Sequence, residues 1–277
     1  MTTAPTPTAA PTPTAAPTSE NPAEPDLIED FTANGHNRAL IVMAHPDDNE
    51  FVCGGTVAKL GALGWRIHLV VTTSGNKGTK DPTVTGQQLA AEREEEQRRA
   101  AEILGAEQPT FFGFPDGYVE NSDELRGLIV RQLRLHRPDL VITWDGFRPG
   151  FNHRDHRRTG RATYDAIYPA GDDHLYYPRD KEEALQPHRP RALLLAGAGE
   201  PDYHVDVTPV IRTKIRAALA HTSQLRNRSE DDMLARYRDR ALDDARRLAL
   251  TEARPFDEAD ALATLTYRES FRLVRFG

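Results

Sequence analysis

The fold is decided by one stretch near the start of the chain, Ala39-Leu40-Ile41-Val42-Met43-Ala44-His45-Pro46-Asp47-Asp48-Asn49-Glu50. Its six leading apolar residues are typical of a short buried strand. Pro46 cannot extend a strand ladder and favours an extended backbone at His45, so we expect the strand to end there. Two adjacent carboxylates, Asp47 and Asp48, follow that end. Because successive residues of a turn point in different directions, these two carboxylates need not share one role.

Strand and helix patterns alternate along the rest of the chain. Further strands are predicted at 66–73, 109–112, 139–144 and 191–196, with helices at 51–60, 87–104, 123–136 and 155–167. This alternation predicts an α/β fold with a mainly parallel sheet that is covered on both faces. A helix that opens at 208–209, a charged surface helix at 230–253 and a final edge strand within 265–276 complete the prediction.

Composition excludes several classes of function. The formal net charge of -7 does not favour a nucleic-acid-binding surface. The first strand is not followed by Gly-x-Gly-x-x-Gly, and no Walker A pattern occurs, so dinucleotide binding and P-loop chemistry are poorly supported. The single cysteine, Cys53, rules out an internal disulfide and a cysteine-based zinc site, and we expect it to be buried. No apolar run is long enough to cross a bilayer.

The N-terminal segment, Met1 to about Asp26, is rich in alanine, proline and threonine. It lacks the basic and apolar regions of a standard signal peptide, so a cytoplasmic location is the default expectation. Such a composition cannot bury a core, and we expect residues 1–26 to form a disordered tail. Residues 27–277 then form the functional domain.

A second polar cluster, His153-Arg154-Asp155-His156, follows the predicted strand at 139–144. In doubly wound sheets, sites form outside the carboxyl ends of the strands, where the strand order reverses. If the first and fourth strands are neighbours at that point, the two clusters meet in space. They would bring together three histidines and three carboxylates.

This set of side chains suits a catalytic zinc ion, which takes three protein ligands and keeps one position for water. The ligands would be His45, Asp48 and His156, with one Zn²⁺ per chain. Asp47 and His153 then stay free for acid–base chemistry, and Asp155 can orient His153.

Other interpretations remain open at this point. Each cluster could be a polar turn that leads into a helix, although two such clusters at strand ends favour a metal site. The chain could be a binding or regulatory protein that uses the fold without turnover. It could also be another zinc hydrolase, such as one acting on phosphoesters, but no second carboxylate cluster for a two-metal site is evident.

Several motifs resemble those of one family. Residues 44–50 resemble the AHPDDE signature of the LmbE-like, or GlcNAc-phosphatidylinositol de-N-acetylase (PIG-L), family, with Asn49 inserted before Glu50. His153-Arg154-Asp155-His156 resembles its H-x-D-H signature, and His221-Thr222-Ser223-Gln224 its C-terminal H-x-S-Q motif. The resemblance runs from about Ala39 to Gln224.

The resemblance implies a three-layer Rossmann-like fold and a zinc-dependent N-deacetylase or related amidase, mostly acting on N-acetylglucosamine conjugates. The partner would be a small N-acylated amino sugar or related amide, with no nucleic acid and a possible homo-oligomer. The family's division of roles makes Asp47 the general base and Asp48 a zinc ligand. It makes His153 a protonated group facing the tetrahedral intermediate, with Asp155 behind it.

Two further residues are predicted to bind substrate. Arg93 lies on a helix face after a strand-end loop, and we favour a contact with substrate over a solvent-directed side chain. His221 is placed beside the site by its motif. Phe151 stands where some sugar deacetylases have a tyrosine, which leaves Tyr118 or Tyr203 as candidates for that role.

Overall fold

The computed structural model describes residues 26–151 and 153–276. The predicted disordered tail therefore lies outside the described residues, apart from Asp26. The Asp26 carboxylate accepts a hydrogen bond from the Ile28 N–H at 3.0 Å and another from the Tyr203 hydroxyl at 2.9 Å. Asp26 thus caps the first helix and contacts the domain, although the prediction assigned it to the tail. No helix of the described ranges is long and apolar enough to span a bilayer.

All of the described strands except β6 agree closely with the predicted positions. They are β1 (Arg38–Met43), β2 (Arg66–Thr73), β3 (Thr110–Phe114), β4 (Leu140–Trp144), β5 (Ala192–Ala196), β6 (Tyr203–Asp206) and β7 (Arg268–Arg275). The helices are α1 (Leu27–Ala33), α2 (Asp48–Val52), α3 (Gly54–Ala62), α4 (Gly86–Leu104), α5 (Asp123–His136), α6 (Arg154–Asp165), α7 (Arg179–Glu182), α8 (Ile211–Leu219), α9 (Glu230–Thr251) and α10 (Glu258–Ala263). A π-helical turn (Ala166–Gly171) continues α6, and a 3₁₀ turn (Thr208–Val210) precedes α8.

In the described part of the chain these strands form one sheet in the order β3-β2-β1-β4-β5-β7-β6. The strands from β3 to β5 in this order are parallel, and β7 runs antiparallel to both of its neighbours. The sheet order reverses at β1, which pairs with β2 on one side and with β4 on the other. The predicted α/β fold with a mainly parallel sheet is confirmed, and the first and fourth strands are neighbours.

The core lies on both faces of the sheet. In β1, Ile41 and Met43 pack into one apolar layer, and Leu40 and Val42 pack into the other. A strand that is buried on both faces explains the continuous apolar run that marks it in the sequence. The result is the expected three-layer arrangement of helices, sheet and helices.

Two parts of the prediction were wrong. The final strand, β7, is not at the edge but lies inside the sheet, because the short and unpredicted β6 covers its outer side. The helix predicted at 51–60 is broken at Cys53, where the backbone leaves helical geometry with φ at -143°. Glu269 of β7 accepts the N–H groups of Gly55 and Thr56 at the start of α3, at 2.8 and 2.6 Å.

Candidate metal centre and active site

The two polar clusters meet at the carboxyl ends of β1 and β4, where His45, His156 and the Asp48 carboxylate converge. His156 Nε2 lies 3.2 Å from His45 Nδ1 and 3.1 Å from Asp48 Oδ1, and His45 Nδ1 lies 3.4 Å from Asp48 Oδ2. Ligands at 2.0–2.1 Å around a tetrahedral zinc ion lie about 3.3 Å apart. The two distances from His156 Nε2 therefore match the spacing of ligands around one divalent cation of this kind.

Asp48 is fixed through its second oxygen. Asp48 Oδ2 accepts hydrogen bonds from the backbone N–H groups of Ala44 and His45, at 3.1 and 2.9 Å, and from the Trp144 indole at 3.1 Å. Burial opposes ionisation, but His156 and His45 hold the pKa of Asp48 well below its ordinary value. The carboxylate is therefore ionised, with Oδ1 directed to the centre.

His45 is oriented by two carboxylates on its far side. Its Nε2 lies 3.2 Å from Asp155 Oδ2 and 3.4 Å from Asp116 Oδ1, so Nδ1 faces the donor set. Asp155 was predicted to orient His153, but its carboxylate contacts His45, and it is its backbone N–H that bonds to His153. Asp155 is fully buried at the start of α6, where its carboxylate also accepts the N–H groups of Gly117 and Val119 at 2.6 and 3.2 Å. Such carboxylates commonly fix metal-binding imidazoles.

His153 is exposed at the mouth of the site and caps α6. Its Nδ1 accepts the Asp155 backbone N–H at 3.2 Å, so the proton of the neutral ring lies on Nε2. Burial, together with the neighbouring His45 and His156, lowers the pKa of His153. The expectation of a protonated ring is therefore not supported, but a neutral His153 still presents an N–H donor at the mouth.

Asp47 has surroundings unlike those of Asp48. Its backbone is left-handed with φ at 90°, which costs an L-residue of the order of 1 kcal/mol. Its N–H donates to Gln97 Oε1 at 3.0 Å, and its carboxylate lies 3.1 Å from the Arg93 guanidinium. Burial raises the pKa of Asp47 to about 7, and the Arg93 charge opposes that rise.

Behind Asp47 lies a chain of buried side chains that sequence reasoning missed. Gln97 Nε2 donates to Glu50 Oε1 at 2.9 Å, and Glu50 Oε2 lies 3.2 Å from His221 Nε2. All three residues are 0% exposed. The signal for Gln97 was its position on α4, one turn after Arg93 on the same face.

His221 was predicted to bind substrate, and its burial contradicts that role. Its ring lies behind the site against Glu50, where no substrate can reach it. Burial lowers the pKa of His221, but the adjacent Glu50 carboxylate outweighs burial and raises it above its ordinary value. His221 and Glu50 therefore form an internal ion pair.

Arg93 is nearly as buried as His221. Its guanidinium donates to the Pro46 carbonyl at 2.5 Å and to the Gly75 carbonyl at 2.8 Å, in addition to its ion pair with Asp47. A Cβ atom at Gly75 would lie 2.3 Å from Arg93 Nη1, so only glycine leaves room for this side chain. These contacts lie within the protein, and the proposed contact of Arg93 with substrate stays a prediction.

Aromatic residues line the remaining side of the candidate active site. Trp144, the last residue of β4, stacks on His156 with ring centroids 4.1 Å apart, and Phe151 packs on Trp144 at 5.2 Å. Of the two candidate tyrosines, Tyr203 is excluded because its hydroxyl donates to Asp26. Tyr118 is 68% exposed beside the loop that binds Asp155, so it stays a candidate.

Comparison with known proteins decides the family. The family described as GlcNAc-PI de-N-acetylase (PIG-L) matches residues 40–167, which include both polar clusters. Diacetylchitobiose deacetylase of Thermococcus kodakarensis is 35% identical over 191 residues, covering 69% of this chain and 71% of that protein. The chain belongs to the PIG-L family. The resemblance seen in the sequence is confirmed.

Two further proteins are similar to this chain. The solved structure of N,N'-diacetylchitobiose deacetylase from Pyrococcus horikoshii matches with a TM-score of 0.75 and 26% identity, covering 90% of this chain and 89% of that one. Mycothiol S-conjugate amidase of Streptomyces coelicolor is 31% identical over 171 residues, covering 54% of this chain and 58% of that protein. The names of these two proteins refer to different substrates.

Proposed function

We propose that this PIG-L family protein is a zinc-dependent hydrolase that removes an N-acetyl or other N-acyl group from a small amino-sugar conjugate. The observation that carries the proposal is the convergence of His45 Nδ1, His156 Nε2 and the Asp48 carboxylate, with the carboxylate of Asp47 on the adjacent residue. The deacetylases among its relatives support the reaction class.

Two imidazoles and one carboxylate, from His45, His156 and Asp48, would hold the zinc ion. When bound, zinc supplies Lewis-acid activation of water and of the amide carbonyl. Asp155 and Trp144 keep the ligands oriented, Asp155 through His45 and Trp144 through both Asp48 and His156. The protein thus fixes the ligand atoms before any substrate arrives.

Asp47 is proposed as the general base. A base acts best when its pKa lies near the working pH, and burial moves the pKa of Asp47 in that direction. The Arg93 guanidinium keeps a fraction of Asp47 ionised, and Gln97 fixes its backbone. The proton accepted by Asp47 is available for the leaving amine, and His153 is the second candidate for that transfer.

His153 is proposed to stabilise the negative charge that develops on the acyl oxygen. Its exposed ring can donate from Nε2, because Nδ1 is occupied by the Asp155 N–H. Charge development at that oxygen makes this hydrogen bond stronger in the transition state than in the substrate complex. His153 therefore acts on the rate more than on substrate affinity.

An amide in a thiol conjugate is the second candidate substrate, since Mycothiol S-conjugate amidase is among the relatives. A binding protein without turnover is less well supported, because a metal-ligand set, a base and an N–H donor are all present.

The test is amine release from N-acetylglucosamine, N,N'-diacetylchitobiose and an N-acyl thiol conjugate, with zinc counted in the same preparation. We expect release from at least one amino sugar, loss of activity with a chelator and recovery with Zn²⁺. Bound zinc without amine release from any of the three substrates would contradict the proposed activity and favour a binding protein.

A further inference from the structure

Two histidines and a glutamate lie together away from the candidate active site. His68 belongs to β2, Glu107 precedes β3, and His136 is the last residue of α5. His68 is in register with Leu40 of β1, five residues before His45. At about 3.3 Å per strand residue, that separation is roughly 16 Å along the sheet. The cluster is therefore distinct from the candidate metal centre.

His68 is the buried member of this cluster, with 8% of its surface exposed. Its Nε2 lies 2.9 Å from the Thr110 hydroxyl, but its Nδ1 is shielded from solvent and has no hydrogen-bond partner. Glu107 Oε2 lies 3.6 Å from that nitrogen. Because buried polar atoms are nearly always paired, an unpaired and fixed imidazole nitrogen points to a missing ligand.

In the other two side chains, those of His136 and Glu107, a neighbouring residue holds one polar atom and leaves the other available. His136 Nε2 lies 3.2 Å from Gln132 Oε1 and donates to it, which leaves the lone pair on Nδ1. Glu107 uses its other oxygen, Oε1, to pair with Arg66 at 3.3 Å. One donor atom from each of His68, Glu107 and His136 lies within 4.8 Å of the others. Metal-binding imidazoles typically have their second nitrogen held in this manner.

We propose that His68, Glu107 and His136 bind a second divalent transition-metal ion, such as Zn²⁺, at the opposite end of the sheet from the catalytic centre. Two imidazoles and one carboxylate suit Zn²⁺ or Cu²⁺ better than Mg²⁺ or Ca²⁺, which prefer oxygen ligands. The ion would link β2, the segment before β3 and the end of α5. Its role would be structural or regulatory, because no group of the proposed reaction touches it.

Binding requires one local movement. The imidazole rings of His68 and His136 stack with centroids 3.8 Å apart and an angle of 15° between their planes. A metal ion binds in the plane of an imidazole, so two stacked rings cannot share it. The His136 ring, partly exposed at a helix end, must tilt while the buried His68 ring stays in place.

The test of this proposal measures the number of zinc ions bound per chain. The purified holoenzyme is equilibrated with excess Zn²⁺, desalted and analysed for zinc per chain by mass spectrometry of the metal. We expect two equivalents in the wild-type protein and one in the His136→Ala and Glu107→Ala variants, whose side chains are not buried and whose fold is checked by circular dichroism. His174→Ala, which removes a surface histidine outside the cluster, should keep two.

The Asp48→Ala variant separates this proposal from the proposed function. If both sites exist, Asp48→Ala loses the catalytic zinc and keeps the ion held by His68, Glu107 and His136. A wild-type protein that binds a single equivalent in excess Zn²⁺ would overturn the second site. So would a second equivalent that survives in both the His136→Ala and the Glu107→Ala variants. Neither result would affect the proposed deacetylase activity.

Discussion

Two halves of the active site hold adjacent carboxylates in opposite ways. On the ligand side, formed by His45, Asp48, His156 and Trp144, burial raises the pKa of Asp48, but the imidazoles of His156 and His45 outweigh burial and lower it. On the base side, formed by Asp47, Arg93, Gln97, Glu50 and His221, burial dominates and raises the pKa of Asp47 to about 7. The left-handed backbone at Asp47 sends the two side chains in different directions.

One turn can therefore supply both a metal ligand and a general base. A metal ligand must be ionised at all working pH values, whereas a general base must exchange its proton near the working pH. The protein achieves the first with two imidazoles beside Asp48 and the second with burial of Asp47 against a single guanidinium. Changes on the ligand side should therefore remove metal, and changes on the base side should alter rate while metal stays bound.

The largest effect is expected from His156→Ala, which removes one of three ligands. Zinc content should fall well below one equivalent at the catalytic site, and turnover should fall to background. Metal analysis after desalting and an amine-release assay measure both. Full zinc content in this variant would contradict the ligand assignment.

His153→Ala, at a position three residues before His156, is the matched change. This variant should retain the metal. Loss of one donor to the developing oxyanion lowers kcat by about 10²–10³-fold. Since the pKa of His153 is lowered, we expect the neutral ring to be the donor. A fall in rate at high pH, the alkaline limb of the pH–rate profile, should then persist in the variant. Disappearance of that limb would show that His153 acts as an imidazolium instead.

Gln97→Leu tests the support behind the base at nearly constant volume. Without the acceptor for the Asp47 N–H, the strained turn is free to relax, and we expect kcat to fall about 10–100-fold with KM and zinc content little changed. Gln87→Leu, which changes an exposed glutamine at the start of the same helix, serves as the control. A kcat within twofold of the wild-type value would show that Gln97 does not position the base.

We expect Arg93→Met to change mainly the pH dependence of the rate. Burial raises the pKa of Asp47 and the Arg93 guanidinium opposes that rise, so removing the guanidinium should raise it further. Because the ionised carboxylate is the active base, activity is lost as pH falls through this pKa. The acidic limb of the rate profile should then move to higher pH by about one unit. Arg98→Met, on the exposed side of α4, should leave the limb in place.

The sequence predicts the ligand side better than the base side, for a physical reason. His45, Asp48 and His156 follow two strands, and the neighbouring positions of β1 and β4 follow from the rules of parallel sheets. The contact between Asp155 and His45 depends on the angle at which α6 starts, which no local pattern encodes. The ion pair of Glu50 with His221 and the enclosure of β7 by β6 depend on the packing of distant segments.

The central claim is the division of roles between Asp47 and Asp48, and one paired measurement tests it. Zinc per chain and kcat are determined side by side for Asp47→Ala and Asp48→Ala, both in the Glu107→Ala background so that only the catalytic site is counted. The account predicts one equivalent of zinc with kcat lowered about 10²–10⁴-fold for Asp47→Ala, and no bound zinc for Asp48→Ala. Zinc lost from Asp47→Ala and retained by Asp48→Ala would contradict it.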